Sequence, residues 1–231
     1  MHIMEGFLPH PWWEIWFVFS LPIVACGVCR ISKMMKDNRE IISLLAVSGA
    51  FIFVLSSLKM PSVTGSCSHP TGTGMGAILF GPWITAALSI IVLIYQALFL
   101  AHGGLTTLGA NTFSMGIAGP TIGYLIFKAA MKFKANMYIA VFLAALFADW
   151  VTYIVTSFQL ALAFPAASGG VMTSFSAFLA VFAVTQVPLA IMEGAATALM
   201  FKYIVQLRGD VLLRLSVAPP SIIKKLKEDL T

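Results

Sequence analysis

The sequence predicts an all-α integral membrane protein of about seven transmembrane helices, one of them short and discontinuous, with the N-terminus outside and the C-terminus inside. Three observations carry that prediction. The first is composition: of 231 residues, 59% are hydrophobic and 10% charged, whereas a soluble domain carries about 25% charged residues. Charge this sparse cannot clothe a water-facing surface, so most of the surface must face lipid, where helices satisfy their own backbone groups. The second is a series of apolar runs of helix length, and the third is the placement of the basic residues between them. The net charge of +5 does not point to nucleic acid, because the Lys and Arg residues form stripes between apolar runs, as topology signals do, and no single patch.

Taken in order, the first run covers about 12–29 and ends in Arg30, Lys33, Lys36 and Arg39. The second covers about 41–58 and is followed by the Gly/Ser/Thr-rich stretch SVTGSCSHPTGTGMG. Apolar character returns at 77–80, breaks at Gly81-Pro82 and continues to about residue 101. HGGLTTLGAN leads into a run ending near Phe127, followed by Lys128, Lys132 and Lys134. Two further runs, about 137–163 and 172–205, are joined by FPAASGG. Lys202, Arg208, Arg214, Lys224, Lys225 and Lys227 lie at the C-terminal end.

Every Lys and Arg except Lys59 thus falls in one of three stripes, and all three are expected on the cytoplasmic side. The chain must then cross an even number of times between Arg39 and Lys128, yet simple hydropathy gives three runs there. Gly81-Pro82 resolves the parity. Proline lacks a backbone donor and suits the first turn of a new helix. The run therefore splits into a short helix near 69–80 and a full one near 83–101. Twenty residues of helix span about 30 Å, the thickness of the hydrocarbon core, whereas eleven reach only about 16 Å. The short helix needs its polar lead-in to dip into the protein, and irregular backbone at that depth is tolerated only where it is buried or lines a cavity. The lead-in around His69 is thereby marked as a site. Residues 1–208 are expected to form one transmembrane bundle and 209–231 a cytoplasmic basic tail. Small residues at four-residue spacing, Ala46/Ala50, Gly119/Gly123 and Ala140/Ala144/Ala148, suit close helix packing, and one alanine-rich face could meet a partner membrane subunit.

Three cysteines (Cys26, Cys29 and Cys67) imply no disulfide framework, and Cys26-x-x-Cys29 inside an apolar run reads as packing. No Lys or Arg precedes the first run, so no cleavable leader is expected. His2 is too large for removal of the initiator methionine, so Met1 should keep a free amine. That amine, the His2 amide and the His2 imidazole can share one plane, because the peptide is planar. A fourth nitrogen, for example from His69, would complete a square that suits Ni(II) or Cu(II), with Co(II) accommodated by altered geometry. From the residues alone an ordinary terminus and an exposed loop histidine remain open as alternatives. Cys67 is either a soft ligand or a bystander. His102 is expected to line an outer vestibule, and His10, between Pro9 and Pro11, to mark the interface. Asp149 and Glu193 lie within apolar runs, where charges are costly and usually paired or functional. Hydrogen bonding to Thr152 or Gln186 and a functional role are both open for them, and neither is expected near His69. No G-x-x-x-x-G-K-[ST] is present, since GTGMG lacks the lysine, so no ATPase activity is expected by that route. H-E-x-x-H is absent too, against an intramembrane metalloprotease.

MHIMEGFLP, SLKMPSVTGSCSHPTGTGMGAILFGP, LAHGGLTTLGANTFSMGIAGP and VTQVPLAIMEG together resemble the CbiM/NikM family. These are the substrate-binding S components of energy-coupling-factor (ECF) transporters for cobalt and nickel. The resemblance spans about residues 1–205 and excludes the tail. It implies a seven-helix bundle in a prokaryotic cell membrane with the N-terminus inserted from outside. It also implies Met1, His2 and His69 as ligands of a transported Co2+ or Ni2+, with no catalytic cofactor. Its implied partners are a transmembrane coupling subunit, two ATPase subunits and a small accessory membrane protein. Asn111 and Ser114, in GANTFSM, are candidate orienting residues, because a ligating imidazole usually donates its other N–H to an acceptor; His102 and Cys67 are candidates beside them. Two rivals stand against this expectation. One is a self-sufficient cation channel or carrier using Asp149 and Glu193. The other is an intramembrane metal-dependent enzyme, for which Glu5 and Glu14 are the acidic groups nearest in sequence.

Overall fold

The computed structural model describes residues 1–37, 39–62 and 65–228. Helix α1 (Trp12–Asp37) follows the Pro9-His10-Pro11 segment and carries Glu14 in its first turn and Lys36 in its last, the charge order that complements the helix dipole. Helix α2 (Ile41–Ser57) is the second apolar run. The chain then enters a small antiparallel sheet: β1 (His2–Ile3) and β2 (Met60–Pro61) flank β3 (Ser66–Ser68). His2 lies opposite Cys67 and Ile3 opposite Ser66, while Met60 lies opposite Ser68. The N-terminal arm is thus bound to the histidine loop by its backbone.

The expected break occurs where Gly81-Pro82 places it. Helix α3 (Thr73–Phe80) stops there and α4 (Pro82–Leu100) begins with its proline in the first turn. Gly81 adopts φ +79°, a conformation that costs a β-carbon-bearing residue and not glycine. Helix α3 starts at Thr73, later than the expected 69, because residues 69–72 form the irregular lead-in. Its eight residues cover about 12 Å, and all but Phe80 are buried. It passes through the middle of the bundle, and its glycines explain how. A β-carbon on Gly74 would lie 2.6 Å from the Cα of Ala145, so the α3 backbone lies directly against its neighbour.

The following run is less regular than expected. Helix α5 (Leu108–Asn111) passes into a wide π-turn at Thr112–Ala118 before α6 (Gly119–Lys132). Helix α7 (Met137–Ala163) opens on Asn136, whose side-chain oxygen accepts from the Tyr138 and Ile139 N–H groups, satisfying two orphan donors. Helices α6 and α7 approach through the predicted small residues: a β-carbon on Gly123 would lie 2.7 Å from the Ala144 carbonyl oxygen, and one on Gly119 2.5 Å from that of Ala148. Ala46 and Ala50 instead line an apolar groove of about 430 Å³ between α2 and α4. Helix α8 (Gly170–Arg214) continues past the expected residue 205 and breaks its helical geometry at Arg208. Helix α9 (Pro220–Glu228) folds back, burying Val217, Ala218 and Ile223 with Leu44, Met75 and Phe201. Residues 229–231 of the expected tail lie outside the described residues.

Among the described residues four helices, α1, α4, α7 and α8, are long and apolar enough to cross a membrane, and α2 is a shorter apolar helix. Large apolar side chains such as Phe19, Phe99, Val184 and Leu207 are more than half exposed on the outside of the bundle. A water-soluble protein would bury that surface; here it faces lipid. The architecture is that of an all-α membrane protein.

Candidate metal centre

The site is built by threading the N-terminal arm into the bundle. Met1, His2 and Ile3 are fully buried. Buried peptide groups need partners, and Ile3 finds them in α5: its N–H donates to Asn111 Oδ1 at 2.8 Å, and its carbonyl accepts from Asn111 Nδ2 at 3.0 Å and Thr107 Oγ1 at 2.8 Å. Further out, the Met4 N–H donates to the Gly65 carbonyl and the Glu5 N–H to that of Gly103. Glu5 accepts from the Thr106 N–H, and the Gly6 N–H donates to Thr106 Oγ1. The arm is thereby tied to both outer loops. The HGG sequence serves this contact, since a β-carbon on Gly104 would lie 2.1 Å from Glu5 Oε2.

Three of the four histidines meet behind the arm. The centroid of the His2 ring is 4.3 Å from that of His69 and 4.4 Å from that of His102. The Met1 amine lies 3.5 Å from His69 Nδ1, and His2 Nδ1 lies 3.0 Å from His102 Nε2. Cys67 Sγ is 2.9 Å from His102 Nε2. One donor atom from each of His2, Cys67, His69 and His102 falls within 4.8 Å of the others, and all four residues are buried. Among the described residues His2 Nε2, His69 Nε2 and His102 Nδ1 are buried with no hydrogen-bond partner, so ring nitrogens remain available in the cluster. His69 Nδ1 lies 2.8 Å from the Pro70 carbonyl, the kind of contact that fixes a ligating imidazole.

Burial pushes the His2 imidazole well below the ordinary histidine range and that of His102 to about 3, with the neighbouring positive groups adding to the effect. Burial likewise lowers the Met1 amine and raises the Cys67 thiol. Burial therefore favours the neutral imidazole, the form that binds a metal. Three imidazoles and one soft sulfur in a buried cluster suit a borderline transition-metal ion rather than Mg2+ or Ca2+, which prefer oxygen.

The remaining sequence candidates divide clearly. His10 is exposed beside Glu14, at 2.5 Å, away from the cluster. Asn111 orients the backbone of the arm, and the Ser114 hydroxyl bonds back to the Ala110 and Asn111 carbonyls; the expected acceptor for an imidazole is instead the Pro70 carbonyl. Glu193 requires a correction: it was expected far from His69, but its carboxylate accepts from the Thr71 N–H, from Thr71 Oγ1 at 2.8 Å and from the Gly72 N–H at 2.8 Å. Neither Thr152 nor Gln186 is its partner. Helix α8 and the re-entrant loop reach the same depth, a coincidence of tertiary structure that no local sequence signal carries. Asp149 is fully buried, and its carboxylate oxygens have no hydrogen-bond partner among the described residues.

Comparison with known proteins agrees with this architecture. Residues 2–211 match the family model for CbiM, described as the cobalt uptake substrate-specific transmembrane region. A relative from Methanosarcina barkeri, provisionally named a CbiM cobalt transport protein, is 65% identical over 98% of each chain. One from Methanocaldococcus jannaschii with the same provisional name is 53% identical, over 97% of this chain and 95% of its own. A solved structure of a transition metal transporter superposes with a TM-score of 0.77 at 24% identity, covering 94% of this chain and 98% of that one; that likeness shows the shared fold. With its family model matched over nearly its whole length, the chain belongs to the CbiM family and is a multi-pass membrane protein.

Proposed function

We propose that this chain is the substrate-capturing component of an ECF-type uptake system for Co2+ or Ni2+ in a prokaryotic cell membrane. In this reading the Met1 amine, the His2 amide and imidazole, and a His69 ring nitrogen bind the ion. The N-terminus lies outside and the C-terminus inside. Seven crossings are made by α1, α2, α3 with its lead-in, α4, the α5–α6 segment, α7 and α8, with residues 209–231 at the cytoplasmic end. A transmembrane coupling subunit, two ATPase subunits and a small accessory membrane protein complete the transporter. The ion is taken up from outside, enclosed by the arm, and carried inward as the bundle is reoriented by ATP hydrolysis in the partners.

One observation carries the reading: a buried N-terminal arm brings its own amine and His2 against His69 within a buried cluster of nitrogen donors. The names of the two relatives above, both of cobalt transport, support the choice of ion. A self-sufficient channel or carrier is less well supported, since Glu193 is engaged with the backbone of the histidine loop and leaves Asp149 as the other intramembrane carboxylate.

The test is equilibrium binding of Ni(II) and Co(II) to the purified chain in detergent. Equimolar binding that is lost in His2→Ala and His69→Ala supports the reading. Absence of stoichiometric binding, or binding indifferent to both changes, overturns it.

A further inference from the structure

The buried carboxylate of Glu193 has no place in the ligand set, yet it holds the loop that carries one ligand. We propose that Glu193 is a positioning residue for His69, acting from α8 through Thr71 and Gly72; the proposal rests on the reading of His69 as a metal ligand. Residues 69–72 form an irregular stretch inside the bundle, where each N–H must find a partner. Both oxygens of Glu193 are used for this. One accepts from the Thr71 N–H and the other from Thr71 Oγ1 and the Gly72 N–H. The Thr71 hydroxyl lies 3.1 Å from that of Thr73, the first residue of α3. The carboxylate therefore holds the N–H groups of the two residues that lead into α3, while the Thr71 hydroxyl it also engages accepts from the Thr73 N–H at 3.4 Å.

A second tie sits higher on the same helix, where Ser68 Oγ and Thr185 Oγ1 lie 2.8 Å apart. From Thr185 to Glu193, α8 descends eight residues, about 12 Å. From Ser68 to Thr71 the loop descends three residues, about 10 Å if extended. The two paths run alongside each other at matched rise, and His69 is held between the two ties. Gly72 shows how little slack the loop has: at φ +70°, a β-carbon there would lie 2.9 Å from the Cα of Ile52. Pro188, inside α8, falls between Thr185 and Glu193, where its missing N–H removes one helical hydrogen bond.

Glu193→Gln keeps size and removes one acceptor oxygen, so an amide N–H₂ must face a backbone N–H. Supporting-residue changes at metal sites typically cost 10- to 100-fold in affinity, and a loss of that order in Ni(II) affinity is expected. The ligand-field absorption of bound Ni(II) should shift with it, because the His69 nitrogen is displaced; a change in fold stability alone would leave that spectrum unaltered. Thr71→Val should reproduce the spectral shift with a smaller loss, and Thr71→Ser should restore native affinity and spectrum. If Glu193→Gln does not yield folded protein, the Thr71 pair decides. Native affinity and spectrum in both Glu193→Gln and Thr71→Val, alongside loss of binding in His69→Ala, would overturn the clamp alone. Unaltered binding in His69→Ala would instead overturn the metal-site reading beneath it.

Discussion

Placing Gly-Ser ahead of Met1 tests the part of the site most dependent on the chain terminus. Met1 and Ile3 are fully buried, and the Met1 amine lies 3.5 Å from His69 Nδ1. Two added residues move the free amine by about 7 Å along the chain, and no described space beside Met1 receives them. For the added pair to reach water, the arm must withdraw. Withdrawal exposes Met1 and Ile3, at roughly 1.5–3 kcal/mol each, or roughly 3–6 kcal/mol together. It also gives up the bonds of Ile3 to Asn111 and Thr107. At 1.4 kcal/mol per tenfold, the area term alone weakens binding by about two to four powers of ten. Titration calorimetry with Ni(II) on native and extended chains measures this, once mass spectrometry confirms that the added residues remain. Native affinity in the extended chain would refute the role of the terminal amine. The ligand set would then have to come from Cys67, His69 and His102.

Three other changes separate the ligands from their supports. Asn111→Ala leaves the buried Ile3 N–H without its acceptor, at about 1–3 kcal/mol, so metal affinity should fall about 10- to 100-fold in the same titration. His102→Ala removes a ring 3.0 Å from His2 Nδ1 that lies outside the proposed ligand set; a loss of about 10- to 100-fold is expected, against complete loss in His69→Ala. Gly74→Ala places a β-carbon 2.6 Å from the Ala145 Cα. Overpacking of this kind costs about 1–3 kcal/mol, seen as a lower thermal unfolding midpoint in detergent.

The features legible in the sequence were those with a local physical cause. Gly81-Pro82 announces a helix break because proline cannot donate and glycine tolerates positive φ, and α3 ends there. The small residues Gly119, Gly123, Ala144 and Ala148 announce close packing, and α6 meets α7 through them. His69 and Cys67 could be named as candidates because a Gly/Ser/Thr-rich stretch between apolar runs has no reason to lie in lipid except to line a site, His2 because it follows the terminal amine, and His102 because it opens the HGG loop at the outer end of a run. The π-turn at Thr112–Ala118 was not legible, since it changes hydrogen-bond register without altering apolar pattern. The packing of Val217 and Ile223 onto the bundle was hidden for a different reason: a basic, amphipathic segment reads equally well as a surface tail.

Glu193 is the instructive failure, and depth explains it. Counted from Gly170, it lies 23 residues down α8, about 35 Å, which places it in the inner half of a membrane if the helix begins at the outer surface. The His69 lead-in was expected near the outer face. The second assumption is the one the structure corrects: the lead-in descends through Ser68 and Thr71, and Thr185 and Glu193 on α8 meet it there. A carboxylate buried among apolar helices is costly unless hydrogen-bonded, and an irregular loop at the same depth is costly unless its N–H groups are accepted. Each feature read alone was an anomaly with several explanations. Brought together, Glu193 and the Thr71-Gly72 backbone satisfy one another. Of the two intramembrane carboxylates that the sequence offered for an ion path, Asp149 and Glu193, the second thereby finds its partners in the loop that carries His69.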